Sequence, residues 1–232
     1  MQRTPQFTTG DFQSHHDFLE DGEYGRALDT LVKAVSDVLV VSEDGKRVYL
    51  GRRKVEPQPD WWYIGGRARP GESPQQAAAR NVRRELGLEL PPSRFEVIAN
   101  YSFVWQRRAQ EPADHGTADI STVHCLALRP QEARAVKLDE KEYDDSRWFA
   151  MEVVLSGEFH PALKQAVRDL RAKRAYEKVA EASQNVDDAT LARLSRELVD
   201  AVSAGSLSGP LRVGFRPESR TYDVSLGDGA SP

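Results

Sequence analysis

Residues 65–88 read GGRARPGESPQQAAARNVRRELGL, and this stretch decides the fold. Ser73 suits a helix N-cap, Pro74 suits the first helical position, and Gln76, three residues after the cap, completes a capping box. Gly87 stands where a helix ends in a left-handed residue. Ala78, Val82 and Leu86 recur every four residues and give the helix one buried stripe. The segment is therefore a glycine-rich, charged loop running into a helix. It follows a short apolar strand at 61–64.

Outward from it, 34–42 (AVSDVLVVS) reads as a buried strand. Glu43-Asp44-Gly45-Lys46 is a turn signal, and a second strand starts at 48–50. Residues 55–60 hold two prolines and form a loop. Residues 95–106 and 118–128 are strand-like, and 146–150 is a last short strand. The polar connection at 107–117 is long enough for a binding loop. The domain reading is an N-terminal arm with a short helix over 1–33, a core over 34–155, a helical extension over 156–204 and a flexible tail over 205–232. Leu28, Leu31 and Val32 form the apolar face of the first helix. His15 and His16 are neighbours and do not share a helix face, so they are no chelating pair. In the extension, Leu163, Val167 and Leu170 mark one helix face, and Leu191, Leu194, Leu198 and Val202 mark another.

The 232 residues carry a formal net charge of −4. That balance lacks the global basic field of a general nucleic-acid binder, so no nucleic-acid partner is expected. Apolar residues make up 39%, enough for a packed core, and charged residues 29%, enough for a well-solvated surface. The single cysteine, Cys125, excludes an intramolecular disulfide and favours a reducing compartment. No apolar run is long enough to span a bilayer, and the first twenty residues show no secretory signal, so the expected address is the cytosol.

Spacing carries the chemistry. Gly66 is followed after five residues by Glu72, seven residues later comes Arg80, and then Val82, Glu85, Gly87 and Leu88. This resembles the Nudix box, whose pattern is Gly, five residues, Glu, seven residues, then Arg-Glu-apolar-any-Glu-Glu-any-Gly-apolar. A gapped match at several fixed positions is more specific than a lone glycine triplet. The resemblance implies an α/β fold: a Nudix-type α/β/α sandwich with a mixed sheet, here with a helical C-terminal extension. It also implies hydrolysis of a nucleoside diphosphate linked to another moiety. A pyrophosphate concentrates negative charge, and a hard cation such as Mg²⁺ or Mn²⁺ screens it.

Two box positions depart from the pattern: Asn81 and Arg84 stand where it has glutamates. Positions 81, 84 and 85 share a helix face, so that face keeps one carboxylate, Glu85. Arg84 adds a cation that repels metal and attracts phosphate. The GDP-mannose mannosyl hydrolase branch lacks the same two glutamates. The resemblance to it extends to Asp37, Arg53, Arg67, Val104-Trp105-Gln106, Asp139-Glu140 and Asp144-Asp145-Ser146-Arg147-Trp148. That likeness implies a nucleotide sugar as substrate and one Mg²⁺ held by the Gly66 carbonyl and Glu85. Glu142 lies six residues before Trp148, where many Nudix proteins place a further ligand and the mannosyl hydrolases a glutamine. Arg53 and Arg67 would grip the diphosphate, and Glu72 and Arg80 would brace the loop on the helix. Tyr143 stands where the branch has a histidine base. A tyrosine of ordinary pKa, about 10, is a poor base at neutral pH. His124, His115, Asp37 and Asp119 are the substitutes, with His124 first because it lies on a core strand. Trp61, Trp62 and Trp105 read as packing residues rather than base platforms. A homodimer is expected only because small Nudix hydrolases often form one.

Overall fold

The computed structural model describes residues 4–15, 17–183, 186–207 and 209–227. His16 and the end of the tail lie outside them. The chain divides into two compact units, with the boundary between Ala150 and Met151.

The first unit is built on a mixed sheet. Its strands are β1 (Lys33–Ser42), β2 (Arg47–Arg53), β3 (Trp61–Trp62), β4 (Ile64–Arg67), β5 (Glu96–Trp105), β6 (Thr117–Leu128) and β7 (Tyr143–Ala150). The order along the sheet is β3-β2-β1-β6-β5, with β4 paired to β1 and β7 to β2. β1 and β6 run parallel, and the other pairs are antiparallel. α1 (Asp21–Leu28), α2 (Pro74–Leu86) and α3 (Pro130–Ala135) complete this unit.

The central strand explains its own composition. Val38 and Val40 of β1 join the core that contains Ala78, Val82 and Leu86 of α2. Leu39 and Val41, alternating with them, are also buried. A strand covered on both faces reads as a continuous apolar run rather than an alternation. α2 forms as its sequence dictates. The Ser73 hydroxyl accepts from the Gln76 amide at 3.3 Å, and the Gln76 side chain accepts from the Ser73 amide at 2.8 Å. Gly87 sits at φ +67°, and its N–H donates to the Arg83 carbonyl at 3.1 Å.

Gly51 shows how tightly β7 lies on β2. A Cβ there would fall 2.5 Å from Cε1 of Tyr143, whose ring is buried. Gly51→Ala is expected to destabilise the protein by about 1–3 kcal/mol, because a packed ring has nowhere to go. Urea unfolding of the two proteins checks this, and an unchanged midpoint would contradict it.

One local reading is corrected, and two further segments take defined structure. The first helix ends at Leu28, and Leu31 and Val32 are exposed rather than part of its apolar face. The 107–117 connection is pinned down: buried Arg108 donates to Asp29 at 2.6 Å and to the Gly116 carbonyl at 3.2 Å. The segment 130–135, not read as an element, forms α3, with the Glu132 carboxylate accepting from the Arg129 amide at 2.8 Å.

The second unit holds α4 (Met151–Ser156), α5 (Pro161–Ala182), α6 (Asp188–Gly205), β8 (Leu211–Arg216) and β9 (Thr221–Leu226). Leu163, Val167 and Leu170 of α5 are buried as expected, whereas no residue of α6 is. Residues 211–226, expected as part of a flexible tail, pair as an antiparallel hairpin. Its glycine and proline content masks an alternation in which Leu211, Val213 and Phe215 are half-buried. No helix among the described residues is long and apolar enough to cross a membrane.

Candidate active site

The loop–helix segment places its own brace. Arg80 grips Glu72 with two nitrogens, Nε to Oε1 at 2.6 Å and Nη2 to Oε2 at 2.8 Å, and Nη2 also donates to the Arg67 carbonyl at 2.9 Å. A two-pronged guanidinium–carboxylate pair fixes orientation as well as distance. It tethers the loop to the helix, the arrangement expected of these two residues.

Glu85 lies at the centre and is fully buried. Its Oε2 accepts from the Tyr143 hydroxyl at 2.5 Å and from the Gly65 N–H at 3.2 Å. Its Oε1 accepts from the Arg84 guanidinium. Burial pushes the Glu85 carboxyl above its ordinary value, against the opposing pull of Arg84 and the Tyr143 hydrogen bond. Burial likewise pushes the Tyr143 hydroxyl well above the ordinary tyrosine range, so it donates to Glu85 and is no base.

Two guanidiniums converge on Glu142. Arg84 Nη2 lies 3.6 Å from one of its oxygens and Arg53 Nη2 lies 3.9 Å from the other. Arg67 does something different: its guanidinium sits over the Tyr24 ring, 4.8 Å from the centroid. The structure thus brings Arg53, Arg84, Glu85, Glu142 and Tyr143 together and gives Arg67 a separate contact.

Among the substitute bases, His124 is corrected. It is fully buried, its Nδ1 faces the Asp37 carbonyl at 3.2 Å, and burial holds its pKa down at about 4. An imidazole that titrates near 4 is a weak base at neutral pH. Both faces of β6 are covered there, since Val123, Cys125 and Leu126 are buried as well. Asp119 is occupied by Lys33 at 2.6 Å and by the Trp105 indole N–H at 2.7 Å. His115 pairs with Asp29 at 3.2 Å and lines a separate cleft of about 570 Å³ with Trp105 and Thr117. Asp37 is different. Burial raises it to about 7, although the Ser121 hydroxyl, donating at 2.7 Å, pulls the other way. Arg53 and Glu85 both act on it electrostatically, so it belongs to the same neighbourhood. It lies against Gly65, where an added Cβ would meet its Oδ1 at 2.6 Å.

The expected divalent metal does not fit these residues. The Gly66 carbonyl already accepts from Asn81 Nδ2 at 2.9 Å. Asn81 is buried, and its own oxygen accepts from Arg80 at 2.9 Å. Glu85 already accepts from three donors, spread over both of its oxygens. Among the described residues, no group of three or more His, Cys, Asp or Glu side chains is arranged to hold a metal ion. A divalent ion about 4 Å from a guanidinium would also meet a repulsion of roughly 8 kcal/mol, twice the figure for two unit charges at an effective dielectric of 20. Asn81 is the residue whose role the sequence reading missed. The available signal was chemical: an amide offers N–H donors where a glutamate offers only acceptors.

The sandwich and its braced loop–helix define the class, and the comparisons agree. The family model described as NUDIX domain matches residues 32–170, and the chain belongs to that family, whose hydrolases generally use divalent metals such as Mg²⁺ or Mn²⁺ and act on nucleoside diphosphate derivatives. Among curated proteins, the NAD-capped RNA hydrolase NUDT12 of Homo sapiens is 28% identical over 116 residues, which is 50% of this chain and 22% of the relative. The chain thus spans about a fifth of that relative's length. Solved structures similar to it include the E. coli dihydroneopterin triphosphate pyrophosphohydrolase (22% identity, TM-score 0.47, 60% of this chain and 96% of that one). The MutT protein of Methanosarcina mazei Go1 is also similar (20% identity, TM-score 0.46, with the same two coverages).

Proposed function

We propose that this protein hydrolyses a nucleoside diphosphate linked to another moiety, with a nucleotide sugar as the substrate class. The observation that carries this reading is the convergence of Arg53 and Arg84 beside Glu85 and Glu142 at the box. Guanidiniums match phosphate oxygens in shape and charge, and NUDIX membership supplies the reaction class. The loss of glutamates at 81 and 84, shared with the GDP-mannose mannosyl hydrolases, favours attack at the sugar carbon. In that reaction a water oxygen bonds to the anomeric carbon and the carbon–oxygen bond to the diphosphate breaks. The water's proton passes to the Asp37 carboxylate, and Arg53 and Arg84 take up the charge of the leaving diphosphate. A base that titrates near 7 is well matched to neutral pH.

A panel assay tests this. GDP-mannose, GDP-glucose, UDP-glucose, ADP-ribose, NADH, NAD-capped RNA and nucleoside triphosphates would each be offered with Mg²⁺ and with EDTA, in heavy-oxygen water. Free sugar carrying the label, together with nucleoside diphosphate, is the expected result. Label in a phosphate would mean attack at phosphorus and would refute the carbon mechanism.

A second reading has its own support: a nucleotide-binding module without turnover. Asn81 and Arg84 hydrogen-bond the very oxygens an active metal centre would use. A silent panel, with thermal stabilisation by one of its members, would favour that reading.

A further inference from the structure

The two departures at 81 and 84 act in the same way. Each places an N–H donor on an oxygen that a bound cation would need: Asn81 Nδ2 on the Gly66 carbonyl, and Arg84 on Glu85 Oε1. Arg84 Nη2 also lies 3.4 Å from the Gly65 carbonyl and 3.6 Å from Glu142. One guanidinium nitrogen is thus ringed by two carboxylates and a backbone carbonyl, the oxygen-only surroundings a divalent ion would otherwise require. Glu85 is sealed from solvent, and Arg84 occupies its Oε1. The Arg84 side chain itself remains 47% exposed and can meet a ligand from outside.

We propose that Arg84 is a resident cation that stands in for the divalent ion, so that the box takes up a diphosphate directly, without metal. The diphosphate half of this proposal rests on the function proposed above. Arg84 and Arg53 offset the charges of Glu85 and Glu142, which weakens the pull of the box on a divalent ion. The same guanidiniums offer forked donors to phosphate oxygens.

The test uses the full chain and reads no turnover. Titration with Mn²⁺, followed by the electron paramagnetic resonance signal of the free ion, is expected to show no bound ion into the millimolar range. The double variant Asn81→Glu/Arg84→Glu is expected to gain at least tenfold in Mn²⁺ affinity. Calorimetric titration with inorganic pyrophosphate in EDTA is expected to show binding by the wild type, weakened about tenfold or more in Arg84→Gln and less in Arg84→Lys. Tight Mn²⁺ binding by the wild type that disappears in Glu85→Gln overturns the proposal. So does pyrophosphate binding that appears only with Mg²⁺, or that is equal in the wild type and Arg84→Gln. If Arg84→Gln does not fold, the wild-type Mn²⁺ and pyrophosphate titrations decide alone. A silent substrate panel would remove the hydrolase reading and leave both titrations standing. Absence of pyrophosphate binding under every condition would end the proposal itself.

Discussion

Asp37→Asn is expected to raise the melting temperature at pH 8, leave it nearly unchanged at pH 4, and end turnover. Asp37 is buried on the central strand of the sheet, hydrogen-bonded to Ser121, and titrates at about 7. In the unfolded chain the same carboxyl titrates near 3.8. The folded state therefore binds the proton more tightly, and the stability this gives is fully present below about pH 4. It is lost as pH rises through about 7. Above that, the wild type carries the whole cost of a desolvated carboxylate, on the order of 4 kcal/mol. Asparagine cannot ionise, yet keeps an oxygen for the Ser121 hydroxyl. Part of the gain is offset by desolvating the amide, so a rise of roughly 5–10 °C at pH 8 is expected. Thermal unfolding at the two pH values checks the sign, and an equal shift at both would refute the buried-acid account. In the wild type, turnover is expected to rise with pH through about 7 as Asp37 loses its proton.

Glu85→Ala is expected to cost about 3–5 kcal/mol, the range for removing one partner of a buried ion pair. The substitution strands three donors together: the Tyr143 hydroxyl, the Gly65 N–H and the Arg84 guanidinium. A midpoint lowered by about 10 °C or more should follow. Glu85→Gln keeps the volume and an oxygen for Tyr143 and is expected to lose clearly less. Calorimetric melting of both variants is the check. Equal losses would mean that Glu85 acts through its charge alone and not as an acceptor.

Much of the architecture was legible because its causes are local. The capping box at Ser73 and Gln76 and the left-handed Gly87 involve residues only a few positions apart, and helix periodicity marked Ala78, Val82 and Leu86 as core. The resemblance to the box implied the Glu72–Arg80 brace, and the two residues pair at 2.6 Å. The tail hairpin escaped notice because glycine and proline at its ends outweigh a six-residue alternation.

The site divides along the same line. By itself, the sequence determined that one helix face keeps Glu85, loses two glutamates and gains Arg84. Resemblance to the family singled out Glu142 and Tyr143 beside it. Only the tertiary structure decided what those residues touch. Tyr143 meets Glu85 across 58 positions because β7 pairs with β2. His124 is enclosed because β6 is covered on both faces at 123–126. Asn81 points its nitrogen at Gly66 because the loop folds back over the helix, and Arg84 turns onto its neighbour Glu85. Contacts of that kind depend on strand register and on the balance of donors and acceptors in a closed space. Neither is written in the spacing of residues along the chain.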